Sequence, residues 1–414
     1  MIIEKTKHYC EICNKKHDAQ IVRKEKKVYF NYICKKKAKS IKISNDYEVF
    51  MHLRSFFKKT KSVKYDFKWF TMMELTNKCN YNCPICFASA NEINVKDFTI
   101  NELNEYINKL NTRFICLSGG EPTLLPNLNN MIKNIKNKGL KTLLFTNGYL
   151  LGKNRFLAQS LKRAGLFGVG IQFDAFNPNI HLRIRGNNDI NIKKKAIDNC
   201  VKNKLWTGLI SMVLKQNLKE VKDILQYVKS EQPLINMIQF QPAVIAGRFN
   251  YPKNERVYLD DVVNEIIKTS IFKEVSLNSF FPYPKFNPWS ANVHPDCAAL
   301  LIMFKYNNRF IPLDKLCNIK KLYNHMQFNK MKPNLFTKNV VPIYYMLKST
   351  PIKNYLKIFL ATLGTIFRSK KNRVLFITIN NYSNKEYQDM NKINNCSNQV
   401  ITKNREVKSP CQCG

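Results

Sequence analysis

The chain has 414 residues, 44% of them hydrophobic and 12% aromatic, and a formal net charge of +39. This composition excludes an intrinsically disordered chain, and no run approaches the roughly 20 apolar residues that span a bilayer. The charge comes from 68 Lys and Arg against 29 Asp and Glu, mostly as Lys spread among abundant Asn and Ile. It reads as compositional bias, which disfavours a nucleic-acid stripe and leaves attraction to an anionic membrane surface open.

The N-terminus, MIIEKTKHYCEIC, lacks the apolar stretch of a signal peptide, so a cytoplasmic chain is expected. In that reducing compartment thirteen cysteines rarely mean disulfides, and clustered thiols read as metal ligands. They cluster at Cys10/Cys13, Cys79/Cys83/Cys86 and Cys411/Cys413, while Cys116 and Cys200 sit in apolar surroundings and read as core. Residues 1–45 form a small ribbon- or rubredoxin-like module, with CEIC at 10–13 followed by a strand-like stretch ending at Cys34. A basic linker over 46–68 leads into WFTMMELT at 69–76, whose apolar and β-branched character predicts a strand.

Further strands are predicted at 114–119, 141–148, 168–174, 208–214 and 237–244, with helix-period segments between them. Six strands alternating with helices predict an α/β fold with a parallel sheet. Six units are fewer than the eight of a closed barrel, so an open, partial (β/α)6 barrel over 69–250 is expected. Past residue 250 the pattern breaks into Pro- and aromatic-rich stretches, a helical run and a CQCG terminus, which predicts a separate C-terminal region over 251–414.

The chemistry begins at CNYNCPIC, residues 79–86, whose C-x3-C-x2-C spacing directly follows the first barrel strand. Three thiolates on a tight loop can hold three irons of a [4Fe–4S] cubane and leave the fourth open to a chelating ligand. A zinc knuckle would want a fourth Cys or His in the loop, and none is there. SGGEP at 118–122, TNG at 146–148, GIQFD at 170–174 and RIRG at 183–186 end or follow successive strands, the rim where barrels gather ligands.

Together these motifs resemble the radical S-adenosylmethionine superfamily over about residues 69–250. The resemblance implies a [4Fe–4S] cluster on Cys79, Cys83 and Cys86 and S-adenosylmethionine bound to its open iron. An electron from the cluster would then cleave the S–C5′ bond to give a deoxyadenosyl radical, fed by a donor such as ferredoxin or flavodoxin. It implies that Gly119, Gly120 and Glu121 contact the methionine amino group. Asn147, Gln172 and Asp174 would bind ribose and carboxylate, Arg185 would pair with the carboxylate, and Gln241 in FQPAVIAGR would lie near adenine. One departure is Ile85, where the family often has an aromatic residue.

Over the whole chain, the N-terminal CxxC module, ELTNKCNYNCPICFA, FQPAVIAGR, HPDC at 294–297 and the cysteine-bearing tail resemble the archaeal tetraether lipid synthase group. Some neighbours of that group carry a pterin methyltransferase label. This resemblance implies an auxiliary [4Fe–4S] cluster on Cys297, Cys396 and Cys411, with Cys413 or Cys317 as fourth ligand. It also implies a single Fe or Zn ion on Cys10, Cys13 and Cys34. CKKKAK at 34–39 departs from the relatives' second metal turn, which leaves His8 or His17 to complete that site, and FNPWSAN lacks a cysteine that relatives use. The expected reaction is hydrogen abstraction leading to C–C bonds or other changes in lipid alkyl chains. Peptide modification and a pterin-type methyl transfer are the alternatives, and a corrinoid mechanism is disfavoured because no DxHxxG pattern occurs. YLKIFLATLGTIF at 355–367, flanked by Lys353, Lys357, Arg368, Lys370, Lys371 and Arg373, is too short to span a bilayer. It predicts either a membrane-interface helix or one packed on the barrel.

Overall fold

The computed structural model describes residues 1–10, 13–57, 68–283, 294–327, 344–383, 386–394 and 396–413. FNPWSAN, at 286–292, lies outside them. In chain order the strands are β1 (Ile2–Cys10), β2 (Lys15–Lys24), β3 (Lys27–Cys34), β4 (Lys37–Ser44), β5 (Lys68–Thr76), β6 (Ile85–Cys86), β7 (Thr112–Gly119), β8 (Lys141–Thr146) and β9 (Gly168–Gln172). They continue as β10 (Trp206–Val213), β11 (Met237–Pro242), β12 (Arg248–Phe249), β13 (Ala298–Tyr306), β14 (Arg309–Pro312), β15 (Arg373–Asn380), β16 (Asn398–Ile401) and β17 (Val407–Lys408).

Two compact units emerge, and neither is one continuous stretch. The first gathers 1–65, 225–242 and 257–396; the second gathers 66–224, 243–256 and 397–414. The division therefore does not follow the linear order expected from the sequence.

In the second unit β5, β7, β8, β9 and β10 pair in sequence order, every neighbour parallel. Helices cross over between them, and this is the α/β partial barrel. The helices owe their places to one apolar stripe each: Leu128–Asn137 buries Leu128, Met131, Ile132 and Ile135. A Thr99–Glu102 capping box starts the helix Ile100–Lys109. Cys116 and Cys200 are fully buried, as their apolar neighbours predict. The tail was expected to belong to the C-terminal region. Instead β16 adds in parallel to β5, and Arg405 anchors it by pairing with Glu102.

In the first unit β1–β4 form an antiparallel sheet, and β14, β13, β15 and β11 form a second group in which β11 runs parallel to β15. The sixth predicted barrel strand, β11, thus clusters with this unit. The expected linker is partly helical: Tyr47–Arg54 is capped by Asp46 and buries Val49, Phe50 and Leu53. Arg54 pairs with Glu4 and with Asp296 of the HPDC motif, while the His294 ring accepts from the Asp296 amide. In this unit the motif's His and Asp therefore serve a buried ion-pair network.

Candidate active site

The cysteine loop leaves β5 at Thr76, and the backbone of SGGEP is what fixes it. Gly120 N–H donates to Thr76 O at 2.7 Å, and Glu121 N–H donates to Lys78 O at 2.8 Å. A Cβ on Gly119 would stand 2.4 Å from Thr76 O, and one on Gly120 would stand 2.2 Å from Lys78 O. Only glycine permits that approach, and Gly119 also takes a φ of +123°. Asn91 closes the far side: its side chain accepts from Cys79 N–H at 2.9 Å and donates to Cys79 O and Tyr81 O. Lys403 of the tail donates to Asn77 Oδ1 and Ala88 O, both at 2.7 Å.

At its C-terminal end the loop pairs with β12, Arg248 opposite Cys86, and Arg248 Nε donates to Cys83 O at 2.7 Å. Gly247 lets this strand close on the loop, since its Cβ would meet Cys86 O at 2.4 Å. Ile85 packs with Ile184, Leu214 and Ala243, so the departure from an aromatic residue still gives an apolar wall.

The thiols are prepared for iron. Tyr81 N–H points at Cys79 Sγ and Ala90 N–H at Cys86 Sγ, each at 3.4 Å. Hydrogen bonds to sulfur of this kind tune iron–sulfur centres. Burial, with the nearby Glu121 charge and the two other thiols, pushes the Cys79 thiol up to about 12. A cluster would displace that proton, as metals do on binding thiolates.

Glu121 is buried and ties β7 to β8. Its Oε1 accepts from Thr123 Oγ1 (2.5 Å), Thr146 Oγ1 (2.7 Å) and Thr123 N–H (3.1 Å); among the described residues Oε2 accepts only from Asn147 N–H, at 2.8 Å. A carboxylate oxygen accepts more than one bond, so Oε2 keeps capacity for an ammonium group. Asn147 donates to Asn80 Oδ1 at 2.8 Å, which brings the end of β8 to the cysteine loop.

Asp174 and Arg185, each expected to touch the cofactor, are held by each other. Arg185 Nε and Nη2 grip the fully buried Asp174 carboxylate at 2.6 and 3.1 Å, and Met212 N–H donates to it at 2.7 Å. The Arg185 guanidinium also lies beside Cys83 and Ile85 O, so Asp174 positions an arginine against the cysteine loop. Despite burial, the Asp174 charge holds Arg185 firmly protonated. Gln172 accepts from Lys193 at 2.9 Å. Gln241 ends β11 in the first unit.

Lys193 was not anticipated. It is fully buried, and its ammonium donates to Asn147 O, Gln172 O and Gln172 Oε1, which locks the ends of β8 and β9 together. Burial pulls it down, opposed by Asp189 and Asp174. The signal was present: Ile190, Lys193, Ile197 and Cys200 share the buried stripe of the helix Ile190–Lys202, so a lysine occupies a core position.

Several buried polar atoms in the second unit have no hydrogen-bond partner among the described residues: Tyr81 Oη, Gln172 Nε2, Ser211 Oγ and Arg248 Nη2. Buried donors left open on the cysteine loop, on β12 and near the ends of β9 and β10 fit a polar ligand at that rim. The three thiols with their sulfur-directed amides fit a [4Fe–4S] cluster. When bound, such a cluster supplies the electron for reductive cleavage of S-adenosylmethionine. The protein's part is to orient the loop through Gly120, Asn91 and Arg248, and to hold Arg185 and Asn147 in place beside it.

A second donor set lies in the N-terminal sheet. Among the described residues one group of three or more metal-binding side chains, Cys10, Cys13, His17 and Cys34, has all its ligand atoms within 4.8 Å of one another, the spacing of ligands to a single ion. Cys34 Sγ lies 3.6 Å from both Cys10 Sγ and Cys13 Sγ, and Cys13 Sγ lies 3.0 Å from His17 Nε2. Tetrahedral ligands at metal–sulfur bonds of about 2.3 Å sit about 3.8 Å apart, so the set fits a Zn or Fe ion. His17 is the partner rather than His8, whose Nδ1 accepts from Gln388 N–H and whose ring packs on Tyr32. Burial, then the two neighbouring thiols, pushes Cys34 up to about 11. His17→Ala is expected to cost the protein about one equivalent of bound metal by mass spectrometry and to leave the triad's iron in place. Unchanged stoichiometry would mean that this site is empty.

The expected auxiliary ligands divide between the units, with Cys297 and Cys396 in the first and Cys411 and Cys413 in the second. Cys317 is buried in an apolar cluster that pushes its thiol up to about 12.

Partial barrel, cysteine loop and glycine-rich strand end define an iron–sulfur enzyme that uses S-adenosylmethionine. Residues 73–228 match the Radical SAM superfamily, and that segment is a radical SAM domain. It is 30% identical over 277 residues to "7,8-dihydro-6-hydroxymethylpterin dimethyltransferase" of Methanocaldococcus jannaschii, covering 60% of this chain and 54% of that one. It is 34% identical over 179 residues to "Probable GTP 3',8-cyclase" of Methanococcus aeolicus, covering 41% and 58%. It is 28% identical over 215 residues to "Fe-coproporphyrin III synthase" of Methanosarcina barkeri, covering 51% of each. The chain thus spans between half and three-fifths of these relatives' length. Among solved structures, Streptococcus suis SuiB bound to precursor peptide SuiA is similar at a TM-score of 0.44 and 12% identity, over 63% of this chain and 72% of that one.

Proposed function

We propose that this radical S-adenosylmethionine enzyme abstracts hydrogen from the alkyl chains of a membrane lipid, forming C–C bonds or otherwise modifying the chains. The observation that supports the reading is the pairing of a radical core with an N-terminal module in which Cys10, Cys13, Cys34 and His17 come together. That pairing is the likeness to the tetraether lipid synthase group. An auxiliary cluster on Cys297, Cys396, Cys411 and Cys413 belongs to the same reading, as does a ferredoxin or flavodoxin donor. A second reading, methyl transfer to a pterin, is favoured by the name of the relative at 30% identity.

The test is anaerobic reconstitution, then incubation with S-adenosylmethionine, dithionite and either an archaeal lipid extract or a hydroxymethylpterin. Lipids that lose hydrogen mass, alongside deoxyadenosine release, support the first reading; methylated pterin supports the second and overturns the first. Cys411→Ala with Cys413→Ala should lower the iron count while sparing cofactor cleavage. Unchanged iron would remove the auxiliary cluster from the proposal.

A further inference from the structure

The helix Tyr355–Ile366 has two faces. Ile358, Ala361 and Gly364 point inward and pack the helix onto β13 and β15. Gly364 is obligatory, since a Cβ there would stand 1.7 Å from Asn372 O. At about 100° per residue, Leu356, Phe359, Leu363, Ile366 and Phe367 fall on the opposite side. That side is bare: Leu356 is 59% exposed, Phe359 57%, Ile366 66% and Phe367 78%, and Ile352 just before the helix is 82% exposed. One face therefore packs as the sequence expects of a buried helix, though on β13 and β15 rather than on the barrel strands, and the other is apolar and exposed.

The charge along the flanking sequence is one-sided. From Lys315 to Lys385 the sequence carries fourteen Lys and Arg and no Asp or Glu, although 29 acids in 414 residues would place about five in a stretch of that length. Overall compositional bias does not account for that exclusion. Lys348, Lys353, Lys370 and Lys371 are exposed beside the apolar row. Arg373, expected from the sequence among these flanking charges, is buried in β15 and donates to Ile235 O. No helix of the described residues is long and apolar enough to cross a membrane.

We infer that this face docks the enzyme peripherally on an anionic phospholipid bilayer, with Leu356, Phe359, Ile366 and Phe367 entering the headgroup–acyl boundary and the surrounding lysines meeting phosphates. A short amphipathic helix with aromatic residues on one side and lysines at its margins binds by adding apolar burial to headgroup attraction. The occupant is a lipid surface rather than an apolar partner, because the exposed charges flanking the row, Lys348, Lys353, Lys370 and Lys371, are all cations and suit anionic headgroups. The inference stands on the surface itself and holds whichever substrate is turned over.

The test is co-sedimentation of the anaerobically reconstituted full chain with phosphatidylglycerol–phosphatidylcholine vesicles and with phosphatidylcholine alone, without S-adenosylmethionine. Binding to the anionic vesicles should be at least tenfold tighter and should weaken with salt. Phe359→Ser with Phe367→Ser, and separately Lys353→Glu with Lys370→Glu and Lys371→Glu, should each lower it at least tenfold. All these side chains are exposed, so circular dichroism should show an unchanged fold. Equal binding to both vesicle types, or variants that bind like the parent, would overturn the inference. So would self-association in the ultracentrifuge that Phe359→Ser abolishes while vesicle binding stays absent, because the occupant would then be a second copy. A failed lipid-modification assay leaves this readout untouched.

Discussion

Replacing Cys83 by alanine is expected to abolish deoxyadenosine release under dithionite and to remove most of the barrel's iron. The neighbouring backbone should hold, because Arg248 Nε binds the carbonyl of residue 83 and β6 pairs with β12 through main-chain groups. What is lost is one of three thiolates, and with it the site that leaves a single iron open. Changes in groups merely supporting a metal ligand typically cost about 10–100-fold, so loss of a ligand itself should exceed that. Cys200→Ala is the contrasting control: a fully buried thiol outside the loop, whose removal should cost packing but no iron. Deoxyadenosine formation that persists in Cys83→Ala would refute the assignment of the cluster.

Arg185→Met should produce the second large effect, this time on stability as well as function. It leaves the Asp174 carboxylate, which is fully buried, without the guanidinium that holds both its oxygens. Uncompensated burial of a charge costs about 3–5 kcal/mol, measurable as a shift in urea midpoint. Adding Asp174→Asn should recover part of that loss, because the amide oxygen can still accept from Met212 N–H while the buried charge is gone. If the double variant instead loses the sum of the single losses, the pair is not the cause. S-adenosylmethionine affinity should remain weak even where stability recovers, because the arginine beside Cys83 and Ile85 is still missing. Affinity that returns with stability would reduce Arg185 to a structural residue.

Much of the barrel was legible because its signals are local. Apolar strands and striped helices announce themselves within a dozen residues, and β5, β7, β8, β9 and β10 pair in the order in which they were read. The cysteine spacing and the two glycines were equally plain, and the structure adds the reason for the glycines in the Thr76 and Lys78 carbonyls that crowd them. The roles of polar side chains were less legible. Asp174 and Arg185 were assigned separately to a ligand, yet they spend most of their bonding on each other. Lys193 sat unread in a run of three lysines, although its place on the helical stripe marked it as buried.

The sequence by itself determined the thiol triad, the strand–helix alternation and the excess of positive charge, since each is a matter of residue type and short spacing. Only the tertiary structure decided which histidine joins Cys10, Cys13 and Cys34, which unit receives the tail, and which side of Tyr355–Ile366 is left bare. Those outcomes depend on partners hundreds of residues away: His8 is claimed by Gln388, and β16 by β5. Composition and local spacing carry no record of such pairings, because they are fixed by packing and by the need to satisfy every buried polar group at once.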